Sequence, residues 1–543
     1  MSSRVQRRAL IAITTAIALT FGTILVGAPA NAAVGGTVSG RVLLEYGETL
    51  PTYSGEAMFF PLWGAGTPTS TPIDDGHYSV SGLEQGDYRV LFRSLDPTTP
   101  YADVWLGGFL HESDSTVLTV GASNVELDDV VIPQGGSISG TITSASSTDR
   151  GAAAAFLWDP ATGEWERYSR WANADSSGNY LLNGLGDGTY LLRFAAQGDS
   201  VLLSTEYWDD EEYWSNSTPV VIESDADLTG YNASLAAGPI DLLRIAGANR
   251  YATGVSISYG QWDTADAVFI VSGTNFPDAL SAGPAAAHIA SPLLLTAPDS
   301  LSPVVAERLA ELEPEYIFII GGTPTISQTV ENQLQGYASD QVVRIAGANR
   351  YETSRLIANI FFDGTGADTA YLATGVNFPD ALSAGPAAAN EHGPVILVPG
   401  ANSSVGGETL ELLDGLGVSK VVIAGGAPSV SGAIEAELRG TDFLDEVYRR
   451  AGANRFETSL LISQGSFPMT DGVFFATGLG FPDALAGAAL AGHPAWRSPI
   501  LLVRTNCVPA GVNEEIARLK PSDIYILGGE PTIGQGVVNG VPC

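Results

Sequence analysis

The chain has few basic residues and few residues suited to catalysis. Its 543 residues include 25 Lys+Arg against 60 Asp+Glu, which gives a formal net charge of −35. A negative field of this strength argues against nucleic acid and against attraction to an anionic membrane. The only lysines in the sequence are Lys420 and Lys520, so arginine supplies nearly all of the positive charge.

Recognisable catalytic motifs are also missing. The sequence contains no nucleophile elbow, no zinc-binding motif, no P-loop and no glycine-rich dinucleotide fingerprint. Histidine occurs five times, and no stretch is left over for a separate catalytic domain. We therefore expect a protein that is not an enzyme and that needs no cofactor and no metal.

Cysteine is limited to Cys507 and Cys543. A disulfide between them would suit an oxidising compartment and would tie the last residue back to the final domain. The alternative is a pair of free thiols.

Residues 1–32 have the pattern of a secretory signal peptide. Three arginines precede an uncharged apolar stretch from residue 9 to residue 26, and Ala30-Asn31-Ala32 supplies a small-x-small cleavage site. An uncleaved membrane anchor is the alternative, because the apolar stretch is long enough to span a bilayer. We expect cleavage, followed by a secreted protein that has no membrane contact. Since neither a lipid-bearing cysteine nor a hydrophobic tail is evident, the folded part would have to hold such a protein at a cell surface.

Two related segments follow the signal. Residues 35–41 (GGTVSGR) recur as 135–141 (GGSISGT), and residues 75–90 recur as 177–192 around the pattern G-x-Y-x-x-x-G-L-x-x-G-x-Y. Short alternating strands separated by Asp-Gly and Gly-Asp turns are typical of antiparallel hairpins in a β-sandwich. The sequence thus predicts two such modules, 33–134 and 135–235. Their strand tyrosines are expected to be core residues, and these are Tyr78, Tyr88, Tyr180 and Tyr190.

These modules resemble the carboxypeptidase-regulatory-like, or prealbumin-like, family of β-sandwiches with a carbohydrate-binding-like fold. The resemblance rests on the opening strand, the Gly-Tyr hairpin and the late aromatic segments 101–105 and 206–208. It implies spacer or accessory domains, some of which bind carbohydrate in the family. An exposed sugar-stacking surface is the alternative to ordinary core and loop for four aromatic residues, Tyr207, Trp208, Tyr213 and Trp214.

The C-terminal half repeats three times. Its first marker occupies residues 244–253 (RIAGANRYAT), 344–353 (RIAGANRYET) and 449–458 (RRAGANRFET). A Phe-Pro-Asp-Ala-Leu marker begins at Phe276, Phe378 and Phe481, and a Gly-Gly marker begins at residues 321, 425 and 528. Because the order is the same each time, we predict repeats over 241–340, 341–445 and 446–543.

Each repeat reads as alternating strands and helices. In the first, continuously apolar runs predict strands at 267–272, 293–296, 316–320 and 342–345, and helical spacing predicts helices at 277–289, 303–312 and 329–335. Strands this apolar are buried on both faces, which favours a parallel sheet in an open α/β layer fold.

The three repeats resemble the cell-wall-binding repeat type 2 family of Gram-positive surface proteins. The resemblance covers about 300 residues and rests on the R-x-A-G-x-x-R-[YF]-x-T and F-P-D-A-L signatures. It implies three α/β domains in a pseudo-threefold arrangement. It also implies non-covalent attachment to an anionic polymer of the wall, with peptidoglycan as the other possible receptor.

The arginines of the first marker are the candidate polymer contacts, because guanidinium groups bind phosphate or carboxylate bidentately. They are Arg244, Arg250, Arg344, Arg350, Arg449 and Arg455. The alternative is that they pair with carboxylates and fix the packing between repeats. The suggested partners are the motif aspartates Asp278, Asp380 and Asp483, which also suit the first turn of a helix.

Two further features are interpreted as structural rather than as ligand-binding. Each Gly-Gly is expected to form a tight turn, although backbone N–H groups there could cradle an anion. His288, His392 and His493 occupy similar positions, and we interpret them as cations near helix C-termini rather than as a metal site.

The sequence therefore predicts a secreted protein held at the cell wall by three repeats, with the sandwich modules as spacer or display domains. A secreted carbohydrate-binding protein and a wall-anchored hydrolase are the alternatives.

Overall fold

The computed structural model describes residues 35–45, 55–64, 68–95, 100–145, 150–166, 170–197, 203–236 and 240–543. The predicted signal peptide, residues 1–32, lies outside the described residues. The chain divides into two compact units, one built mainly from residues 30–241 and the other mainly from residues 242–543. Among the described residues, none of the helices combines the length and the apolar character needed to cross a bilayer.

The first N-terminal module is built from short strands and one 3-10 turn, Glu112–Asp114. The strands are β1 (Val38–Leu44), β2 (Gly55–Pro61), β3 (Trp63–Gly64), β4 (Thr69–Ile73), β5 (His77–Val80), β6 (Gly86–Ser94), β7 (Val104–Trp105), β8 (Leu118–Val120), β9 (Val125–Glu126) and β10 (Val130–Ile132).

The strands of this module form two sheets that share one core. Strand β1 lies between β5 and the pair β9 and β10, while β2 lies between β4 and β6, which also pairs with β7 and β8. Val38, Phe59 and Phe92 are fully buried between the sheets. The turn from β4 into β5 contains Asp75 and Gly76 with φ of 50° and 77°, as in a type I′ turn.

The second module repeats this plan, with its 3-10 turn at Trp214–Asn216. Its strands are β11 (Gly136–Ser144), β12 (Gly151–Asp159), β13 (Glu164–Trp165), β14 (Arg170–Asn173), β15 (Asn179–Leu185), β16 (Gly188–Ala196), β17 (Glu206–Tyr207), β18 (Val220–Ile222), β19 (Asp227–Thr229) and β20 (Ala233–Leu235). Strand β11 pairs with β15, β19 and β20, and β12 with β13, β14 and β16.

The prediction of antiparallel sandwich modules is wrong for the opening strand of each module, which has parallel as well as antiparallel partners. Strand β1 pairs in parallel with β9 and β10, and β11 pairs in parallel with β19 and β20. The last strands of each module arrive from the opposite sheet and run alongside the opening strand in its own direction. Hairpin turn signals reveal pairs of consecutive strands, so these long-range pairs could not be read from them.

The prediction that four strand tyrosines belong to the core is confirmed. Tyr78, Tyr88, Tyr180 and Tyr190 are at most 5 % exposed. Hydroxyl groups buried in this way need acceptors. Tyr88 donates to the Glu84 carbonyl at 2.9 Å and Tyr190 donates to the Gly186 carbonyl at 2.7 Å, so these two rings are anchored four residues upstream.

The C-terminal half contains the following elements in chain order. They are β21 (Asp241–Ile245), α1 (Arg250–Ser258), β22 (Ala267–Ser272), α2 (Ala282–His288), β23 (Leu293–Thr296), α3 (Pro303–Leu312), β24 (Tyr316–Ile320), α4 (Gln328–Leu334), β25 (Gln341–Ile345), α5 (Arg350–Phe362), β26 (Thr369–Thr374), α6 (Pro379–Asn390), β27 (Val395–Val398), α7 (Gly407–Gly415), β28 (Lys420–Ala424), α8 (Gly432–Arg439), β29 (Glu446–Arg450), α9 (Arg455–Ser466), β30 (Gly472–Thr477), α10 (Pro482–Ala491), β31 (Ile500–Val503), α11 (Val512–Leu519), β32 (Asp523–Leu527) and α12 (Gln535–Val538).

Each repeat contains a parallel sheet. The central strands β22, β26 and β30 pair in parallel with both neighbours, and every residue in them is buried. This confirms the prediction of strands covered on both faces. The single helix predicted over 277–289 is wrong, because a 3-10 turn at Pro277–Ala279 precedes α2.

The strand that opens each sequence repeat completes the sheet of another repeat. Strand β25 adds to the first sheet beside β24, and β29 adds to the second beside β28. Strand β21, which opens the first repeat, pairs with β32 of the third. The chain therefore closes on itself, and the first strand of the triplet completes the last sheet.

Three helices rich in small residues bring the repeats together. Helices α2, α6 and α10 each contact the other two. A Cβ added to Gly283 would lie 2.8 Å from the Ala488 Cβ, and one added to Gly492 would lie 2.6 Å from the Ala389 Cβ and 3.2 Å from the Ala287 Cβ. Only glycine and alanine permit so close an approach.

We expect Gly492→Val to destabilise the triplet by about 1–3 kcal/mol, because the added methyl groups would force α10 away from α2 and α6. Denaturant unfolding of the mature chain measures the change. Gly432→Ala is the control, since no atom lies within 4 Å of a Cβ at that helix position. Equal stability of the two variants would contradict this packing account.

Candidate functional site

Residues of all three repeats meet at the loops that follow the central strands. The rings of Phe276, Phe378 and Phe481 form a triangle with centroid distances of 5.6, 5.5 and 5.9 Å. Each ring belongs to a different repeat and begins its Phe-Pro-Asp-Ala-Leu marker. In α/β folds, the loops at the carboxyl ends of the strands are where ligands bind.

Much of the first marker is a helix start. The N-cap residues of α1, α5 and α9 are Asn249, Asn349 and Asn454. The side chain of each accepts hydrogen bonds from the backbone N–H groups two and three residues later. In the second and third repeats, Glu352 and Glu457 accept from the N–H groups of Ala348 and Ala453 at 2.7 and 2.8 Å. The marker therefore encodes helix capping as well as its arginines.

The arginine at the seventh position of each marker is the first residue of the capped helix. Arg250, Arg350 and Arg455 each donate from Nη1 to a glycine carbonyl that directly follows the central strand of the same repeat. Arg250 is exposed, and the other two are half-buried. The backbone thus fixes the direction of each guanidinium, and the guanidinium of Arg455 lies over the Phe378 ring, 5.7 Å from its centroid.

The first arginine of each marker supports the Gly-Gly turn. Arg344 and Arg449 donate from Nη1 to the carbonyls of Gly321 and Gly425 at 2.8 and 2.7 Å. Each also forms an ion pair of 2.7 Å, Arg344 with Glu331 and Arg449 with Glu435. These glutamates were not identified from the sequence, although both lie ten residues after the first glycine of their Gly-Gly marker.

Arg244 differs from its two counterparts. It donates to the Gly528 carbonyl at 2.6 Å, but Val538 stands where the other repeats have glutamate. Among the described residues, its buried Nη2 has no hydrogen-bond partner. The junction closed by β21 therefore holds a guanidinium whose binding capacity is only partly used.

The motif aspartates lie between the Gly-Gly turns and the arginines of a neighbouring repeat. Burial raises the pKa of all three, while a guanidinium opposes the shift in each case: Arg350 at Asp278, Arg455 at Asp380 and Arg250 at Asp483. Burial is the larger effect. Each motif aspartate thus lies within the electrostatic influence of an arginine from another repeat.

The interpretation of Gly-Gly as a tight turn fits the geometry. The first glycines, Gly321, Gly425 and Gly528, have φ of 107°, 105° and 103°, a region that disfavours residues with a Cβ. Their N–H groups donate to the neighbouring strand at 2.8–2.9 Å. These N–H groups are therefore engaged in the sheet and cannot cradle an anion.

The interpretation of the repeat histidines as helix-end cations is wrong for two of them. Burial lowers the pKa of His288 and of His493 to about 4, so both are neutral near pH 7. Each packs on an aromatic ring of the next repeat, His288 on Phe362 at 4.4 Å and His493 on Trp262 at 5.5 Å. Sequence position near a helix end could not reveal that a neighbouring repeat covers the ring.

The aromatic cluster of the second sandwich module is mostly internal. Tyr207 is fully buried, and Trp208 packs on Tyr231 with ring centroids 4.5 Å apart. Tyr213 is 38 % exposed. A sugar-stacking surface would therefore have fewer rings than the sequence suggests.

The predicted disulfide between Cys507 and Cys543 is present, with a Cα–Cα distance of 4.9 Å. The backbone around it is also paired, since the N–H of Cys543 donates to the Val508 carbonyl at 2.9 Å. The disulfide therefore fastens residue 543 to the loop after β31, as expected.

The lowered pKa values of His288 and His493 predict a loss of stability in acid. An unfolded histidine titrates near 6.5, so unfolding takes up protons when the pH falls from about 6.5 towards 4. Each histidine should then remove on the order of 2 kcal/mol of stability by pH 4.5. The raised pKa values of the motif aspartates have the opposite effect on stability, because the folded chain then takes up protons more readily than the unfolded chain as the pH falls. The test therefore measures the free energy of unfolding in urea at pH 7 and at pH 4.5, for the parent chain and for the double variant His288→Gln/His493→Gln. The change between the two pH values is then compared between the two proteins.

We expect the double variant to lose less stability than the parent chain on acidification. His77→Gln is the control, because His77 is an exposed histidine of the first sandwich module. If the parent chain and the double variant had the same pH dependence of stability, the lowered pKa values of the two histidines would be ruled out.

Comparison with known proteins identifies the repeats. Residues 244–331, 344–435 and 449–538 match the family model of cell wall binding domain 2. N-acetylmuramoyl-L-alanine amidase LytC of Bacillus subtilis (strain 168) is 31 % identical over 297 residues, and the amidase enhancer of the same organism is 34 % identical over 297 residues. The matches cover 54 % of this chain but 57 % and 39 % of those relatives, so the chain spans about half the length of the curated proteins it matches.

Two solved structures have a similar fold. Cwp6 from Clostridium difficile aligns over 90 % of this chain and 68 % of its own, with a TM-score of 0.51 and 18 % identity. Cwp8 from the same organism aligns over 84 % and 78 %, with a TM-score of 0.50 and 17 % identity.

Proposed function

We propose that this chain, which carries three copies of cell wall binding domain 2, is a secreted protein held non-covalently on the cell wall by a polymer that binds beside the phenylalanine triangle. The family match indicates association with the cell wall. The nature of the receptor and the residues that contact it are the proposal. We take the receptor to be an anionic wall polymer.

The observation that carries the proposal is the contrast between the two sets of arginines. Arg344 and Arg449 are each held by a glutamate and a carbonyl, which favours a structural role. Arg250, Arg350 and Arg455 have only the glycine carbonyl as a hydrogen-bond acceptor among the described residues. Each therefore keeps guanidinium N–H groups that can bind a phosphate or carboxylate.

Arg244 extends the proposed contact surface. Its unpartnered Nη2 is a donor that Arg344 uses on Glu331 and that Arg449 uses on the Ser431 carbonyl. A polymer oxygen at this position would accept a hydrogen bond from this N–H donor. A buried donor that is left unpaired lowers stability by about 1–3 kcal/mol. We therefore include Arg244 among the polymer contacts and assign Arg344 and Arg449 to support of the turns.

The net charge of −35 does not prevent such binding. Attraction needs only a local cationic groove, because charges on exposed surfaces more than about 8–10 Å apart are largely screened at physiological salt. Three weak sites on one polymer chain would also reinforce one another, with avidity gains of about 10²–10⁴.

We expect Arg350→Gln to weaken binding of the mature chain to purified cell walls about tenfold, since one charge-assisted hydrogen-bond set is lost. The triple variant Arg250→Gln/Arg350→Gln/Arg455→Gln should weaken it about 100-fold or more. A depletion isotherm with native walls gives both values.

Arg355→Gln is the matched control. Arg355 lies on the same helix, α5, and forms an ion pair with Glu408, whose side chain is 79 % exposed, so this variant removes the same charge outside the proposed surface. Equal wall affinity of the Arg350 and Arg355 variants would contradict the assignment, and unfolding measurements on both exclude a loss of fold.

We assign the sandwich modules a spacer or display role, with carbohydrate binding as the alternative through exposed rings such as Tyr213. A second candidate function is to act together with wall hydrolases. The two relatives favour it, since one is an amidase and the other an amidase enhancer. The shared region consists of the binding repeats, so we expect no amidase activity from this chain. Release of peptides from purified walls by the mature chain would overturn that expectation.

A further inference from the structure

The two sandwich modules contact each other around a cavity of about 50 Å³. Residues from both modules line it, among them Asp103 and Leu110 from the first and Glu166 and Arg170 from the second. A cavity of this size accommodates small polar species when polar groups face it. Beside it lies a cluster of side chains that the anchoring function does not use.

The cluster consists of His111, Asp159 and Glu166. Their potential ligand atoms all lie within 4.8 Å of one another. His111 comes from the first module, where it immediately precedes the 3-10 turn at residues 112–114. Asp159 ends β12 and Glu166 follows β13, so both carboxylates come from one hairpin of the second module.

These groups are withdrawn from solvent. Asp159 is 3 % and Glu166 is 9 % exposed, and the His111 side chain is 20 % exposed. The His111 Nδ1 atom is itself buried and lacks a hydrogen-bond partner in the described part of the chain, with Glu166 Oε1 at 3.5 Å. A buried ring nitrogen without a partner is unfavourable and indicates that the cluster binds something more.

Backbone groups hold both carboxylates in place. The N–H of Glu112 donates to Glu166 Oε1 at 3.1 Å, and the N–H of Ala161 donates to Asp159 Oδ1 at 2.8 Å. Outer hydrogen bonds of this kind orient carboxylate ligands at metal sites. The neighbouring Arg170 lies 3.4 Å from Asp103, so a buried carboxylate outside the cluster faces this guanidinium.

We propose that His111, Asp159 and Glu166 bind a divalent transition-metal ion, with Zn²⁺ as the best match, and that the ion links the two sandwich modules. One imidazole nitrogen and two carboxylate oxygens suit Zn²⁺, whereas Ca²⁺ and Mg²⁺ prefer oxygen ligands alone. Zinc bonds of about 2.0–2.2 Å require the ligand atoms to draw together by roughly 1 Å. Such a movement is within the reach of side-chain rotation, and water from the cavity would complete the coordination.

The test uses the mature full-length chain, freed of metal with a chelator and titrated with ZnCl₂ in a calorimeter. We expect one tight site per chain and a rise in the thermal midpoint of the sandwich unit that a chelator reverses. His111→Ala and Glu166→Gln should each weaken that site at least about tenfold, since loss of an outer-shell partner alone has an effect of this size. Co²⁺ in place of Zn²⁺ should give visible absorption bands that both variants lack.

His77→Ala is the matched control, because His77 is an exposed histidine of the same module. It should bind Zn²⁺ like the parent chain. Asp159→Asn provides a third ligand variant should Glu166→Gln fail to fold, as judged by circular dichroism. The absence of a site in the parent chain, or equal Zn²⁺ affinity of His111→Ala and His77→Ala, would overturn the proposal.

Discussion

The close approach of three small-residue helices is the constraint on which the C-terminal half depends. Where Gly283 of α2 meets Ala488 of α10, a Cβ on the glycine would lie 2.8 Å from the alanine Cβ. Side chains larger than alanine would separate the helices. The phenylalanine triangle forms only because these helices hold the ends of the three central strands together. The same packing places each motif aspartate beside an arginine from another repeat, so the site belongs to the assembly rather than to any single repeat.

Strand exchange reinforces this interdependence. Each sheet takes its last strand from the opening of another sequence repeat, and β21 closes the ring by pairing with β32. An excised repeat would expose an unpaired strand edge, which is a site of aggregation. The closing junction is also chemically distinct, because Val538 leaves Arg244 without the glutamate that its counterparts have. The three repeats share one sequence pattern, but the pairing of β21 with β32 differs from the other two inter-repeat strand pairings because it lacks the glutamate.

The sequence predicted the parts of this fold that depend on local patterns. The strands at 267–272, 293–296 and 316–320 and the helix at 303–312 have the predicted bounds, because buried parallel strands are continuously apolar and Pro begins a helix. The triplet itself was evident from repeated markers. The pairing of Cys507 with Cys543 followed from there being only two cysteines.

What the sequence could not supply depends on contacts between distant segments. The glutamate partners of Arg344 and Arg449 lie on helices 13 and 14 residues away in the chain, and their constant spacing from the Gly-Gly marker does not by itself reveal which side chain they contact. The neutral state of His288 depends on Phe362 of the next repeat. His111 and Glu166 are 55 residues apart in sequence, so their proximity appears only when the two modules are in contact.

The central claim is that the arginine-lined surface of the triplet binds an anionic wall polymer. The most direct measurement compares binding of the mature chain to purified walls before and after acid extraction of that polymer. Our account predicts that binding is lost on extraction and that the extracted polymer, added in solution, competes for native walls. Undiminished binding to extracted walls would identify peptidoglycan as the receptor and contradict the account.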